Sequence, residues 1–475
     1  MSPSIYKLAA RGRWIALLAV LLFAGLIFRL WWSLRSPAIV QELPFTRVES
    51  KQNSTHSNHG GVVAGDDASK HQQSNSNAST VHCPDMPGME DILVVLKTGV
   101  TEALNKVPAQ LDTVLRCTPN FVIVSDYEEV IGGVRTVDVL RNVSDHIKQS
   151  QAEFDLYNRV QRGGRVALRP EDYGSDFNSQ YGRQGNPGWM LDKWKFLPMI
   201  DAVLERQPTA KWFVFIEADT YLFWENLLAW VSKHDPSQPK YLGCQTAIGD
   251  NVFAHGGSGF VLSNPAMRKV SEHRKTHMSE LEELTVREWA GDSVLGRVLK
   301  DVGVSLTWSW PMSQGKQLWD LDCFSEAYSR RAWCHPVVTF HHMTPIEVYD
   351  MWAFDQQWLD SHRSGTNTVL FRDIFVNLVL PEIGGVRNNW DNLSEDEVKD
   401  DKSPDHKFTA EECRERCKGK SDCLQYTHHP DGRCLASRGT MQGEPKVNVT
   451  SGWMIDRITA KMDEFGKCET VEYVL

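Results

Sequence analysis

The sequence predicts an α/β fold built on a parallel sheet. An apolar N-terminal segment and a polar stem precede it, and a small disulfide-bonded α+β module follows. Three observations carry this. The run Trp212-Phe213-Val214-Phe215-Ile216-Glu217 has no polar face until its end, which suits a strand buried on both sides. Strand-like and helix-like stretches alternate on either side of it, the βαβ pattern of a parallel sheet. Near the C-terminus Cys413, Cys417, Cys423 and Cys434 fall in a short span without the paired spacing of a zinc site, and read as a disulfide framework.

A chain of 475 residues exceeds one ordinary core, so more than one domain is expected. Its net charge of −10 argues against nucleic acid as a partner. The ten cysteines, with sequons at Asn53, Asn77, Asn142, Asn392 and Asn448, point to an oxidising, secretory compartment and to N-glycosylation. Lys7, Arg11 and Arg13 precede an apolar run that reaches Trp32, close to the roughly 20 residues that span a bilayer. The basic flank predicts a cytosolic N-terminus. The tryptophans stand where a signal peptide would need small residues for cleavage, so the segment reads as an uncleaved anchor. The organisation expected is a tail at 1–13, a transmembrane anchor at 14–32 and a disordered stem at 33–88. A main domain at 89–388, a linker at 389–406 and a C-terminal module at 407–475 follow.

Within the main domain, strand Ile92–Leu96 leads into the turn Lys97-Thr98-Gly99, and an amphipathic helix is expected over Glu102–Cys117. Strand Phe121–Ser125 ends at Asp126. Thr98, Gly99 and Asp126 thus fall at strand ends, where open α/β sheets bind ligands. A helix over Trp189–Arg206 leads into the central strand. Glu217 and Asp219, two positions apart, can reach one point beyond that strand's tip. Hard cations such as Mg²⁺ or Mn²⁺ take carboxylate oxygens and complete their shell with phosphates, so the pair suggests a metal–diphosphate site. Two carboxylates so close cannot easily flank a glycosidic bond across about 5 Å, which argues against a glycosidase. Gly256, Gly257 and Gly259 allow a close backbone approach to a ligand. Asp292 opens an amphipathic helix, where an Asp is equally at home as an N-cap. His341-His342 ends another apolar strand and adds possible metal ligands. Cys323 and Cys334 are close enough to close a loop, whereas the pairing of Cys83, Cys117, Cys244 and Cys468 is left open.

These blocks resemble, in order, those of the inverting glycosyltransferases of family 31, which include Fringe and the core-1 galactosyltransferase. The acidic strand end with Thr-Tyr is Glu217-Ala218-Asp219-Thr220-Tyr221. The glycine block is Gly256-Gly257-Ser258-Gly259-Phe260-Val261-Leu262-Ser263. The Glu-Asp-x-x-x-Gly block appears as Gly291-Asp292-Ser293-Val294-Leu295-Gly296, and the Phe-His strand end as Phe340-His341. The resemblance spans about Asp91 to Trp358. It implies a GT-A nucleotide-sugar transferase fold, with Mn²⁺ held by Asp219, Glu217 and His341. It further implies a UDP-sugar donor contacted by Thr98, Gly99, Asp126, Glu217, Asp219, Gly256 and Gly257, and Asp292 as general base. The reaction implied is β1,3 transfer of a hexose, galactose above all, to a glycan or glycoprotein acceptor, N-acetylgalactosamine being the core-1 case. A UDP-GlcNAc-dependent transferase and a non-catalytic carbohydrate-binding protein are the alternatives. The chain departs from the pattern at Glu217, where Asp is usual, at Ala218, where an acid is usual, and at Gly291, where Glu is usual. The C-terminal cysteines resemble a PAN/apple module, as in family members of filamentous fungi. That resemblance implies Cys413–Cys434 and Cys417–Cys423 disulfides and a carbohydrate or protein partner. Together these imply a single-pass Golgi membrane enzyme with its catalytic domain in the lumen.

Overall fold

The computed structural model describes residues 86–173, 186–362, 367–400, 403 and 405–475. The expected tail, anchor and nearly all of the stem, with Asn53, Asn77 and Cys83, lie outside the described residues. No helix among the described residues is long and apolar enough to cross a membrane.

The central sheet has seven strands: β1 (Ile92–Lys97), β2 (Phe121–Ser125), β3 (Val137–Asp138), β4 (Trp212–Glu217), β5 (Tyr241–Gly243), β6 (Phe260–Ser263) and β7 (Leu306–Trp308). Their order is β7-β5-β6-β4-β1-β2-β3. Strands β3, β2, β1 and β4 run parallel, and β6 lies antiparallel between β4 and β5. The apolar run of β4 is explained by what covers it. Trp212, Val214 and Ile216 enter one core with Ile92, Val94 and Leu96, while Phe213 and Phe215 enter a second with Leu93 and Val95. Successive strand residues point to opposite faces, so only a sheet covered on both faces selects an unbroken apolar run.

Helices α1 (Ala103–Asp112) and α2 (Trp224–Val231) feed the first core; α3 (Asn264–Thr276) and α4 (Gly291–Asp301) feed the second. The helix expected to reach Cys117 ends at Asp112, just past Pro108, and continues as turns. The run 187–206 is helical as foreseen, but tightens to a 3₁₀ turn at Lys193–Lys195. That turn matters, because it aims Lys193 and Lys195 into the molecule, where both are buried.

A second sheet, of five strands, has the order β8 (Val386–Asp391), β12 (Glu444–Trp453), β10 (Gln425–His428), β11 (Cys434–Ser437) and β9 (Asp396–Glu397). Helix α5 (Ala410–Gly419) packs on it and begins with a capping box between Thr409 and Glu412. The stretch expected as a linker therefore supplies strand β9 and the second half of β8: the main chain of 386–391 pairs with β12, which periodicity in so polar a segment does not reveal. Disulfides join Cys413 to Cys434 and Cys417 to Cys423, tying α5 to the sheet.

The expected Cys323–Cys334 link is not formed. Cys334 bonds Cys468, 134 residues on, and Cys323 is a buried free thiol. The C-terminal segment reaches Cys334 because it lies along the main domain. Trp230 Nε1 donates to Val474 O (2.7 Å), Trp333 Nε1 donates to Gly466 O (3.1 Å), and Val474 is buried. Asn392 is also corrected: its side chain is fully buried and donates to Tyr426 O (3.1 Å) and Gly452 O (3.3 Å), leaving no room for a glycan. Asn142 and Asn448 are exposed.

Candidate active site

The carboxyl ends of β1 and β4 lie side by side, with Lys97 and Glu217 in register. Lys97 Nζ sits 3.0 Å from Glu217 Oε1 and 2.5 Å from Asp192 Oδ2. Two residues beyond Glu217 the chain turns, closed by Thr220 N on Glu217 O, and presents Asp219. Lys106, from the middle of α1, places Nζ 2.9 Å from Asp219 Oδ2, and His341 Nε2 lies 3.3 Å from Asp219 Oδ1. Ala218, between the two acids, is buried in the first core, so a middle acid would put a charge in hydrocarbon.

His341 and His342 follow the short strand Thr339–Phe340, which pairs with Tyr221–Leu222. His342 adopts φ 58°, the left-handed region, and the two rings lie 3.7 Å apart. One ligand atom from each of Asp219, His341 and His342 falls within 4.8 Å of the others. Strained backbone of this kind concentrates at functional sites. Glu217, expected as a ligand, is instead engaged by Lys97, and His342 stands in the third position. The donor set suits a divalent metal. It offers one carboxylate oxygen and two imidazoles, and the buried His341 Nδ1 has no hydrogen-bond partner among the described residues.

The electrostatics agree. Burial opposes charge on His341, but Asp219 and Glu217 outweigh it and push its pKa up to about 9. Burial, then the neighbouring His341, hold His342 down to about 3, and the same two causes hold His255 at about 4. Burial would raise Asp219 and Glu217, yet Lys106 and Lys97 respectively, with His341, keep both well below the usual carboxylate range. The carboxylates therefore remain anionic, paired with two ammonium groups and the His341 imidazolium, and a metal would take the place of the His341 proton.

Asp292 lies at the other end of the cavity. Helix α4 starts one residue earlier than expected, at Gly291, with Ala290 as its N-cap, so Asp292 does not cap it. Its Oδ2 accepts from Gly256 N (2.8 Å) and its Oδ1 from Ser293 N (2.9 Å). Burial pushes its pKa up to about 6, against those two donors. Gly291 carries no side chain because a Cβ there would overlap Phe196 and the Lys193 backbone. Gly257 is needed for the same reason: a Cβ would overlap the His341 ring.

A cavity of about 410 Å³ joins the two ends, within the usual size of small-ligand sites. Gly99, Glu217, Asp219, Gly257, Asp292 and His341 line it. Three expected donor contacts do not. Asp126 is buried, accepting from Val100 N (2.8 Å) and pairing with Lys195 (3.1 Å). Thr98 is buried with its carbonyl on Lys195 Nζ (2.8 Å), and Gly256 spends its N–H on Asp292. The lining lysines 97, 106 and 195 were missed, as was His255. Lys97 carried a signal, being a charge at the tip of an otherwise apolar strand; Lys106 sits mid-helix and carried none.

A model of the Fringe-like family matches residues 194–322. This stretch is Fringe-like. It runs from Trp194 through the acidic strand end, the glycine block and Asp292 to Asp322, and over that stretch the chain is similar to Fringe-like glycosyltransferases. His341 and His342 lie beyond the matched stretch and are joined to it by geometry alone.

Proposed function

We propose that the protein is a metal-dependent, inverting transferase that moves a hexose from a UDP-sugar onto an acceptor hydroxyl. The observation that carries this reading is the placement of Asp292, a carboxylate with a raised pKa, in the same cavity as the Asp219–His341–His342 cluster. Asp219, His341 and His342 would hold Mn²⁺, which when bound supplies positive charge for the departing diphosphate. Lys97 and Lys106 line the same end and add two cations. Asp292 accepts the proton of the acceptor hydroxyl as that oxygen bonds the anomeric carbon and the bond to the diphosphate breaks. A single base with no protein nucleophile gives inversion, hence a β-linked product from an α-linked donor.

Galactose from UDP-galactose, transferred in β1,3 linkage to an N-acetylgalactosaminide, is the specific reaction proposed. The order of the family 31 blocks supports the class of reaction, and the resemblance to the core-1 enzymes suggests this donor and acceptor. The sequence supports division into a lumenal catalytic domain and a PAN-like module behind a Golgi membrane anchor. Incubation with a panel of UDP-sugars and Mn²⁺ tests the reading. UDP release from UDP-galactose, stimulated by a galactosaminide acceptor and abolished by chelation, is expected. Preference for UDP-N-acetylglucosamine would change the donor, and no release from any donor would leave a carbohydrate-binding protein.

A further inference from the structure

Two tryptophans stand at the mouth of the cavity on the side of Asp292. Trp289 is 56 % exposed, and its ring stacks on Trp189 with centroids 6.0 Å apart and planes 25° apart. Both line the cavity, and Trp289 precedes Asp292 by three residues. An exposed indole forgoes the burial that most tryptophans gain, so a stacked pair left open at a cavity rim calls for a ligand. The backbone under the pair is fastened on both sides. Asn186 caps the short helix that carries Trp189, accepting from its N–H (3.3 Å). Lys193 Nζ donates to Glu288 O (3.1 Å) and pairs with Glu153 (3.0 Å), which ties the Trp289 loop to the helical run of Trp189. The aromatic surface is therefore held in place rather than assembled by a ligand.

We infer that the Trp189–Trp289 pair is the platform on which the acceptor sugar stacks. The inference rests on the transferase reading above and adds where the acceptor binds and through which face. A pyranose presents C–H bonds on its flat faces and hydroxyls around its rim. Laid on an indole, it buries the apolar face and directs rim hydroxyls sideways, toward Asp292. A flat indole face braced by a second ring behind it suits a sugar ring better than a flexible acyl chain.

The test uses the full chain and methyl glycosides of galactose, N-acetylgalactosamine and N-acetylglucosamine, whose methyl aglycone cannot itself stack. Binding is read by ligand-observed NMR, and transfer by acceptor and donor KM. Trp289→Ala should weaken binding of the preferred glycoside and raise acceptor KM by about tenfold or more, the equivalent of 1.4 kcal/mol. Donor KM should stay within about twofold, and Trp289→Phe, which keeps a ring, should recover most of the binding. Glycoside binding that is absent in the parent chain, or equal in parent and Trp289→Ala, overturns the platform. Trp289-dependent glycoside binding in a chain that hydrolyses no UDP-sugar upholds the platform and refutes the transferase reading instead.

Discussion

Asp219 and Asp292 share one cavity and have opposite surroundings. Asp219 is held by an ammonium and an imidazolium and stays ionised far below neutrality. Asp292 has two backbone N–H groups and, among the described residues, no cation in contact, and burial lifts it toward neutrality. One fold thus places one carboxylate to hold charge and another to exchange a proton. The difference arises from neighbours supplied by remote parts of the chain: Lys106 from α1 and His341 from beyond β7 serve the first, whereas a glycine loop serves the second.

The largest effect should follow Asp219→Asn. Loss of the anion would leave Lys106 with Glu102 alone and His341 with only the more distant Glu217, and would remove a metal donor. Transfer should fall by about 10³-fold, with Mn²⁺-dependent UDP binding lost by calorimetry. Breaking a buried pair in this way should also lower stability by about 3 kcal/mol. If UDP binding survives intact, the charged end of the cavity does not bind the diphosphate through Asp219.

Asp292→Asn should separate the two ends. Turnover should drop by about 10²–10⁴-fold while UDP binding stays near that of the parent. Stability should move the other way from Asp219→Asn. A carboxyl whose folded pKa is raised binds its proton more tightly when folded, so folding loses stability as pH rises from the unfolded value toward 6. An amide escapes that penalty, and the Tm of Asp292→Asn at pH 7.5 should match or exceed the parent's. The same pKa sets the acid limb of the pH profile: kcat/KM should fall about tenfold per pH unit below about 6, and that limb should vanish in the variant. A matched loss of UDP binding in both variants would merge the two ends into one.

How much of this was legible in the sequence varied with distance along the chain. The sheet was, because β1, β2 and β4 are short apolar runs whose burial leaves a local mark. The acids at the tip of β4 and the glycines beside them were, because strand ends and close approaches select few residue types. Lys106 was not, since a lysine in a helix has no local feature that distinguishes a solvated face from a buried partner. Cys334 finding Cys468 was not, because disulfide pairing depends on where the chain returns. Asn392 carried a valid sequon, and only the second sheet closing over it removes it from solvent. The helix start at Gly291 was missed by one residue, and with Ala290 as the cap the Asp292 carboxylate instead accepts from Gly256 N and Ser293 N.

The glycine loop between the two carboxylates allows a finer comparison, since neighbouring residues face opposite ends. Gly257→Ala would drive a methyl into the His341 ring and should weaken Mn²⁺ affinity by about 10–100-fold, the usual loss when a ligand's support is disturbed. Gly256→Ala meets the edge of Phe196 at 2.9 Å and comes only within 3.4 Å of Asp292, so turnover should suffer more than metal binding. Equal losses of metal affinity in the two variants would show that the loop moves as one piece.

The smallest effect should come from Glu217→Asp. Glu217 stands beside Asp219 in sequence, yet its partner is Lys97, and Lys97 also holds Asp192 at 2.5 Å. Shortening the side chain by one methylene draws the carboxylate back along β4. Lys97 would keep its bond to Asp192, so no buried ammonium would be stranded. His341 would lose only the more distant of its two acidic neighbours, at 3.7 Å rather than 3.3 Å. Transfer should therefore fall by less than about tenfold, or 1.4 kcal/mol in the barrier, with Mn²⁺ affinity nearly unchanged. The measurement is decisive because Glu217 and Asp219 look alike in the sequence. A loss as deep as that of Asp219→Asn would make Glu217 a metal ligand in its own right, with the carboxylate leaving Lys97 when the ion binds.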